Sequence, residues 1–245
     1  MVRLLHPVPA PDAAALDVTG AGWHYLVRVL RLAPGDALEV FDGAGSRWPA
    51  RVEALDAEAG RARLSLGARQ EAPPPLRLAL LQGLPKGDKL ELVLQKATEL
   101  GATTLAPVET ARAVVKLTQD KAAERTKRWA RIVEEAARQC RRSDVPEVLA
   151  PRPLLEAARA LPPGTRLLVL DEEARAVPLS HAVADALAAP LALVVGPEGG
   201  LAREEVEALV SLGARPVTLG ARILRTETAA LAALAVLQHL RGELG

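Results

Sequence analysis

Cysteine and methionine occur once each in the 245 residues, asparagine does not occur, and the aromatics are only Trp23, Tyr25, Phe41, Trp48 and Trp129. The lone Cys140 excludes an internal disulfide framework and a multi-cysteine zinc site. No His or Asp motif supports nucleophilic use of its thiol, so a small packed residue is expected there. The four histidines, His6, His24, His181 and His239, are too scattered for a pair such as HExxH, and no metal is expected. So few aromatics leave few platforms for stacked bases, and all five are expected in the core. Missing too is any run near the ~20 apolar residues that a membrane span requires. The opening stretch "MVRLLHPVPAPDAAALDV" is broken by Pro and Asp before a secretory apolar region could form, which gives the expectation of a cytoplasmic protein without membrane contact. A net charge of +1 is too small to mark a strong nucleic-acid binder by itself.

What is present is a folding chain: hydrophobic residues make 49% and charged residues 25%, ordinary globular proportions. The length suits one large domain or two smaller ones. Arg far outnumbers Lys, a bias that suits a hot environment and equally a GC-rich genome. Charge is unevenly spread. Between residues 110 and 142, ten cations (Arg112, Lys116, Lys121, Arg125, Lys127, Arg128, Arg131, Arg138, Arg141, Arg142) stand against four acids (Asp120, Glu124, Glu134, Glu135), a local excess of +6. Such a segment is a solvated helix face or a nucleic-acid contact.

In the first seventy residues, "ALEVFDG", "WPARVEAL" and "RARLSL" alternate with Gly- or Asp-bearing turns and predict a small β-barrel. Before them, "GWHYLVRVLRLAPGD" predicts a helix with Leu26, Val29 and Leu30 inward and His24, Arg28 and Arg31 outward. Pro73 to Pro75 can join neither a helix nor a central strand, so they predict a stiff linker dividing the chain into residues 1–72 and 73–245. Beyond it strands and helices alternate. "LRLALLQGL" reads as a strand. "GDKLELVLQKATELG" reads as a helix capped by Asp88, with Leu90, Val93, Leu94, Ala97 and Leu100 on one face and Gly101 as its stop. "TTLAPVE", a basic helix over about 119–141, and the strands "TRLLVLD", "LALVVG" and "RPVTLG" complete the pattern of a mainly parallel α/β sheet. The last helix, from about Thr226, contains "AALAALAVL"; apolar on every side, it is expected to be buried all round, within the domain or against a partner chain.

Two stretches carry the chemistry: "VVGPEGG" at 194–200 and "LGARILRTETAA" at 219–230. A strand, a Gly-rich turn and a helix start predict a ligand held by backbone at the carboxyl edge of the sheet, if adjacent strands feed both stretches. The plainer alternative is a tight turn. Neither GxGxxG nor a P-loop is present, which disfavours a nucleotide phosphate site.

"VVGPEGG" followed by "LGARILRTETAALAAL", with "LPKGDKLELVLQKATELG" upstream and "HYLVRVLRLAPGD" near the start, closely resembles the RsmE family of small-subunit ribosomal RNA methyltransferases, within the SPOUT superfamily. The resemblance covers nearly the whole chain. Two places depart from it: Ala113 in "RAVVK", and Cys140-Arg141 where Ser-Gly is common. It implies a PUA-like RNA-binding barrel, then a SPOUT-type parallel sheet with a carboxyl-terminal trefoil knot, acting as a homodimer on 16S ribosomal RNA in the small subunit. The implied reaction is methylation of uridine N3 with S-adenosyl-L-methionine. Carried onto this sequence, the cofactor loops are Leu170; Val195, Gly196, Glu198 and Gly199; and Leu219, Gly220, Ile223, Leu224 and Thr226.

Uracil N3 attacks a methyl group well only as the anion, so a proton must leave and the charge must be held. Arg225 is the candidate for holding it, with an ion pair to Glu198 or Glu227 as its alternative. Glu227 and Glu198 are candidate bases; a helix-dipole contact for Glu227 and local amide bonds for Glu198 are theirs. Candidate RNA contacts are Arg3, His24, Arg28 and Arg31 in the first part and Lys86, Lys89, Arg112 and Lys116 in the second. Other knotted methyltransferase targets, such as a ribose hydroxyl, and a non-catalytic RNA-binding assembly factor are the competing readings.

Overall fold

The computed structural model describes residues 2–8, 10, 12–172 and 177–245. Two units emerge, Met1–Pro74 with Ala137–Val145, and Pro75–Ala136 with Pro146–Gly245.

The first unit contains β1 (Val2–Leu5), β2 (Ala15–Thr19), α1 (Gly20–His24) running into a π-helical turn (Tyr25–Val29), β3 (Ala37–Phe41), β4 (Ser46–Asp56), β5 (Arg61–Leu66) and β6 (Gln70–Glu71). The strand order is β1-β3-β4-β5-β2, with β6 on β4. The inward residues of all five strands on this path, among them Leu4, Val18, Leu38, Val52 and Leu64, meet Trp23 and Leu26 in one cluster. One face of five strands can share one cluster only if the sheet curls, as a small barrel does. β1 and β2 went unanticipated because "VRLL" and "ALDVT" are too short to declare a period; pairing with β3 and β5 makes them strands.

The π turn changes which residues face inward. Leu30 N bonds Tyr25 O at 2.9 Å, five residues back, so one extra residue enters the turn. Trp23 and Leu26 stay buried, but Val29, expected inward, is 65% exposed. His24, Arg28 and Arg31 are exposed, and Arg31 lies at φ +54°. Arg3, expected at a phosphate, is instead buried in this unit. Its Nε donates to Glu39 at 2.6 Å and its Nη1 to the Arg142 carbonyl at 2.8 Å, with Phe41 4.3 Å beneath the guanidinium. That bond, with Val145 N to Gly43 O at 2.9 Å, is how residues 137–145 join this unit. Trp23, Phe41 and Trp48 are buried, and so is Trp129 in the second unit; half-buried Tyr25 lies under the Arg138 guanidinium at 4.4 Å. Cys140 is half-buried and unbridged.

The second unit contains β7 (Leu78–Gly83), α2 (Lys89–Glu99), β8 (Thr104–Glu109), most of α3 (Gln119–Gln139), β9 (Glu147–Val148), β10 (Arg152–Pro153), α4 (Leu154–Arg159), β11 (Arg166–Leu170), β12 (Val177–Pro178), α5 (Leu179–Ala182), β13 (Leu191–Val195), α6 (Arg203–Ser211), β14 (Arg215–Thr218) and α7 (Thr226–Leu240). The sheet runs β10-β8-β7-β13-β11-β14-β12 with β9 on β8, every pair parallel. β7 and β13 are buried along their whole length, as a sheet covered on both faces requires.

Leu90, Val93, Leu94 and Ala97 form the buried face of α2, and Gly101 ends the segment at φ +82°. Asp88 stands at the N-cap, but its side chain makes no capping bond; its carbonyl accepts from Glu91 N and Leu92 N instead. α7 is not buried all round within the chain. Ala230, Ala233, Leu234 and Leu237 are buried, whereas Leu231, Ala232, Ala235 and Val236 are half-buried and Thr228 and His239 exposed. Among the described residues no helix is long and apolar enough to cross a membrane, and no group of three or more His, Cys, Asp or Glu could hold a metal.

Candidate active site

The carboxyl ends of β11, β13 and β14 open into a cavity of about 650 Å³, a volume typical of small-molecule sites. β13 and β14 are not neighbours. They flank β11, whose own end supplies the third wall, so three loops rather than two converge.

β13 ends at Val195, and Gly196 to Gly200 turn the chain, with Gly200 N bonded to Pro197 O at 2.9 Å and Gly200 at φ +69°. A Cβ on Gly196 would lie 2.8 Å from the Gly200 carbonyl carbon, so only glycine closes the turn this tightly. α6 then begins, its Glu205 accepting from Ala202 N at 2.9 Å and from Ala111 N at 2.8 Å. From β11, Leu170 reaches the wall, followed by buried Asp171, which pairs with Arg203 at 3.0 Å. Past β14, Gly220 at φ +110° donates its N–H to the Thr218 hydroxyl at 3.2 Å. Leu219, Gly220, Ile223, Leu224 and Thr226 line the cavity, as do Val195, Gly196 and Glu198. Gly199 does not; its carbonyl accepts from Arg112 Nη1 at 3.2 Å.

Arg225 lies on the wall, exposed, and among the described residues its guanidinium makes neither an ion pair nor a side-chain hydrogen bond. The alternative role as an ion-pair partner of Glu198 or Glu227 therefore has no counterpart in the geometry. Both carboxylates turn instead to Lys89, whose Nζ is 2.7 Å from Glu198 and 3.9 Å from Glu227. Glu198 also accepts from Lys86 N at 3.1 Å. Burial works against its charge, but the bond from Lys89 and those from the backbone N–H groups of Glu198 and Lys86 outweigh it and hold the carboxyl below its ordinary 4.5. A carboxylate so satisfied is poorly matched to proton abstraction near neutral pH. Glu227 is off the cavity wall, with Oε2 buried and without a hydrogen bond among the described residues. Of the candidate RNA cations in this unit, Lys89 and Arg112 line the cavity, while Lys86 and Lys116 are exposed outside it.

Because the folded-state pKa of Glu198 is depressed, its contribution to stability is present above about pH 4.5 and is lost as pH falls through the lowered value. Glu198→Gln is expected to unfold at a lower temperature than wild type at pH 7, with the gap closing in acid. A gap in unfolding temperature that stays constant from pH 7 to pH 3 would contradict this account.

Sequence reading missed Asp171, Arg203 and Arg222 on the wall and Gln82 beneath it. The Asp171–Arg203 pair spans 32 residues and leaves no local pattern.

The two units correspond to a recognised combination: residues 72–238 match the family model of an RNA methyltransferase domain, and residues 18–64 that of an RNA methyltransferase PUA domain. The Bacillus subtilis ribosomal RNA small subunit methyltransferase E is 33% identical over 241 residues, 95% of this chain and 94% of that protein. The Synechocystis protein of the same name is 36% identical over 95% of this chain and 77% of its own length. A crystal structure of the Neisseria gonorrhoeae ribosomal RNA small subunit methyltransferase E, bound to S-adenosyl methionine, superposes with a TM-score of 0.87 at 34% identity over 98% of both chains. The chain belongs to the ribosomal RNA small subunit methyltransferase E family.

Proposed function

We propose that the protein transfers the methyl group of S-adenosylmethionine to N3 of a uridine in the 16S ribosomal RNA of the small subunit. The observation that carries this reading is the convergence of Leu170, the Gly196 turn and the 219–226 loop on one cavity in a chain of this family. The residues suit the cofactor: backbone groups at two tight glycine turns serve as hydrogen-bonding partners, Leu170, Val195, Leu219 and Leu224 give apolar wall for a purine, and 650 Å³ accommodates a nucleoside with an amino-acid tail. S-adenosylmethionine supplies an electrophilic methyl group on a sulfonium.

The unpaired Arg225 donates to the uracil carbonyl oxygens and offsets the charge that develops as the N3 proton leaves. Glu198 and Glu227 hold Lys89 and do not take that proton, which passes to solvent. Exposed Lys86, Lys116, His24, Arg28 and Arg31, with Arg112 at the mouth, bind phosphates and position the RNA, and the target base leaves its stack to enter. The protein acts in the cytoplasm as a homodimer. The half-buried face of α7 around Leu231, Ala232, Ala235 and Val236 meets the partner, and the polypeptide from β13 to α7 forms the trefoil knot of this family.

Labelled S-adenosylmethionine, small subunits and free 16S ribosomal RNA from a strain lacking the gene, and mass-spectrometric mapping test the reaction. One labelled uracil N3, with subunits preferred to free RNA, is the expected result. Label on a ribose oxygen would move the protein to another target, and no transfer together with no cofactor binding would leave an assembly factor. With solvent as proton acceptor, kcat should rise with pH over the neutral range and keep that rise in Glu227→Gln. A rise abolished by that substitution would return the proton to Glu227.

A further inference from the structure

β7 places an amide in the interior directly beneath the site. Leu78, Ala79, Leu80 and Leu81 are buried and apolar, and Gln82, 1% exposed, follows them. Its Nε2 donates to Thr226 Oγ1 at 2.9 Å and to the Gly83 carbonyl at 3.0 Å, and lies 3.4 Å from the Gly196 carbonyl. Two of these three are carbonyls, which only accept, so the NH2 group must face them. Thr226 in turn donates its hydroxyl to Gly196 O at 2.5 Å, leaving a lone pair for Gln82. The other end of the amide, Oε1, is buried without a partner among the described residues. An enclosed acceptor left unpaired is a cost that Leu or Met would avoid, and local rules are broken in this way chiefly where function requires it.

We propose that Gln82 is a positioning residue. Its amide clasps the Gly196 turn to the first residue of α7 and so fixes two of the three walls of the cofactor cavity. Gln82 is not on the cavity wall; it acts through Gly196 and Thr226, which are. The inference rests on the cofactor reading above.

Gln82→Met keeps an unbranched side chain of similar length while removing both the donors and the orphan acceptor. Calorimetric titration with S-adenosylmethionine is expected to show about ten- to a hundredfold weaker binding, the loss of hydrogen bonds at a buried site, with the unfolding temperature within about 3 °C of wild type. Thr226→Val should weaken binding comparably, and the double variant should lose little more than either single, because both break one clasp. Leu105→Ala, which opens a cavity at the buried second residue of β8, should lower the unfolding temperature and keep its affinity. Wild-type affinity in Gln82→Met, or an equal loss in Leu105→Ala, would overturn the clasp. A wild-type protein that does not bind S-adenosylmethionine would instead remove the cofactor reading, and the clasp with it. The same titration of wild type separates the two failures.

Discussion

Arg225→Ala is expected to lower kcat about a hundred- to a thousandfold while leaving S-adenosylmethionine affinity within about threefold. The size follows from the role: one preorganised donor aimed at developing negative charge contributes about 2.7–4 kcal/mol to the barrier. The selectivity follows from placement. The side chain is exposed on the cavity wall and unpaired among the described residues, so its removal strands no buried partner. Its carbonyl, which accepts from Ala229 N at 2.8 Å and starts α7, survives the substitution. Stability should therefore change by no more than about 0.5 kcal/mol. Arg225→Lys keeps the charge but loses the planar fork, and its kcat should fall between the two. Single-turnover methylation of small subunits measures this directly. A loss confined to KM would make Arg225 an RNA-positioning cation, and unchanged kinetics would remove it from the reaction.

The parts of this fold legible in the sequence are those governed by near neighbours. Leu90, Val93, Leu94 and Ala97 announce the buried face of α2 by spacing alone, and Gly101 announces its end because φ +82° favours glycine. The Gly196 turn is legible for a related reason, since Gly200 lies at φ +69° and Gly196 has no room for a Cβ. What escaped depends on partners far along the chain. Arg3 reads as a free cation until Glu39 and Arg142, 36 and 139 residues away, enclose it. Val29 reads as core because a π turn leaves no periodic signature, and its extra residue swings the side chain outward. Asp88 has the right chemistry in the capping position, yet only its carbonyl serves the helix. Gln82 reads only as part of a strand, because nothing in "LRLALLQGL" reveals that Thr226, 144 residues later, waits for its amide.

Gly83→Ala is expected to reduce S-adenosylmethionine affinity about ten- to a hundredfold, although this residue is not on the cavity wall. The added Cβ would lie 2.6 Å from Pro197 Cδ, 2.7 Å from Pro197 N and 3.0 Å from the Gly196 carbonyl carbon. Two of these are backbone atoms, which cannot rotate aside as the end of a side chain could. β7 and the turn must therefore separate by several tenths of an ångström, carrying the Gly196 carbonyl away from both Gln82 and Thr226. Overpacking of this kind costs about 1–3 kcal/mol, and a misplacement near 1 Å in a site can cost about a hundredfold in function. The unfolding temperature should fall by about 5 °C. Gly213→Ala separates backbone strain from displacement of the turn. Gly213 has φ +90° with nothing within 4 Å of a new Cβ, so Ala there is strained but pushes on no neighbour. It should lose about 1 kcal/mol of stability and bind the cofactor as wild type does. If Gly83→Ala also keeps wild-type affinity, the end of β7 does not hold the turn, and the cavity must take its shape from β11, β13 and β14 alone.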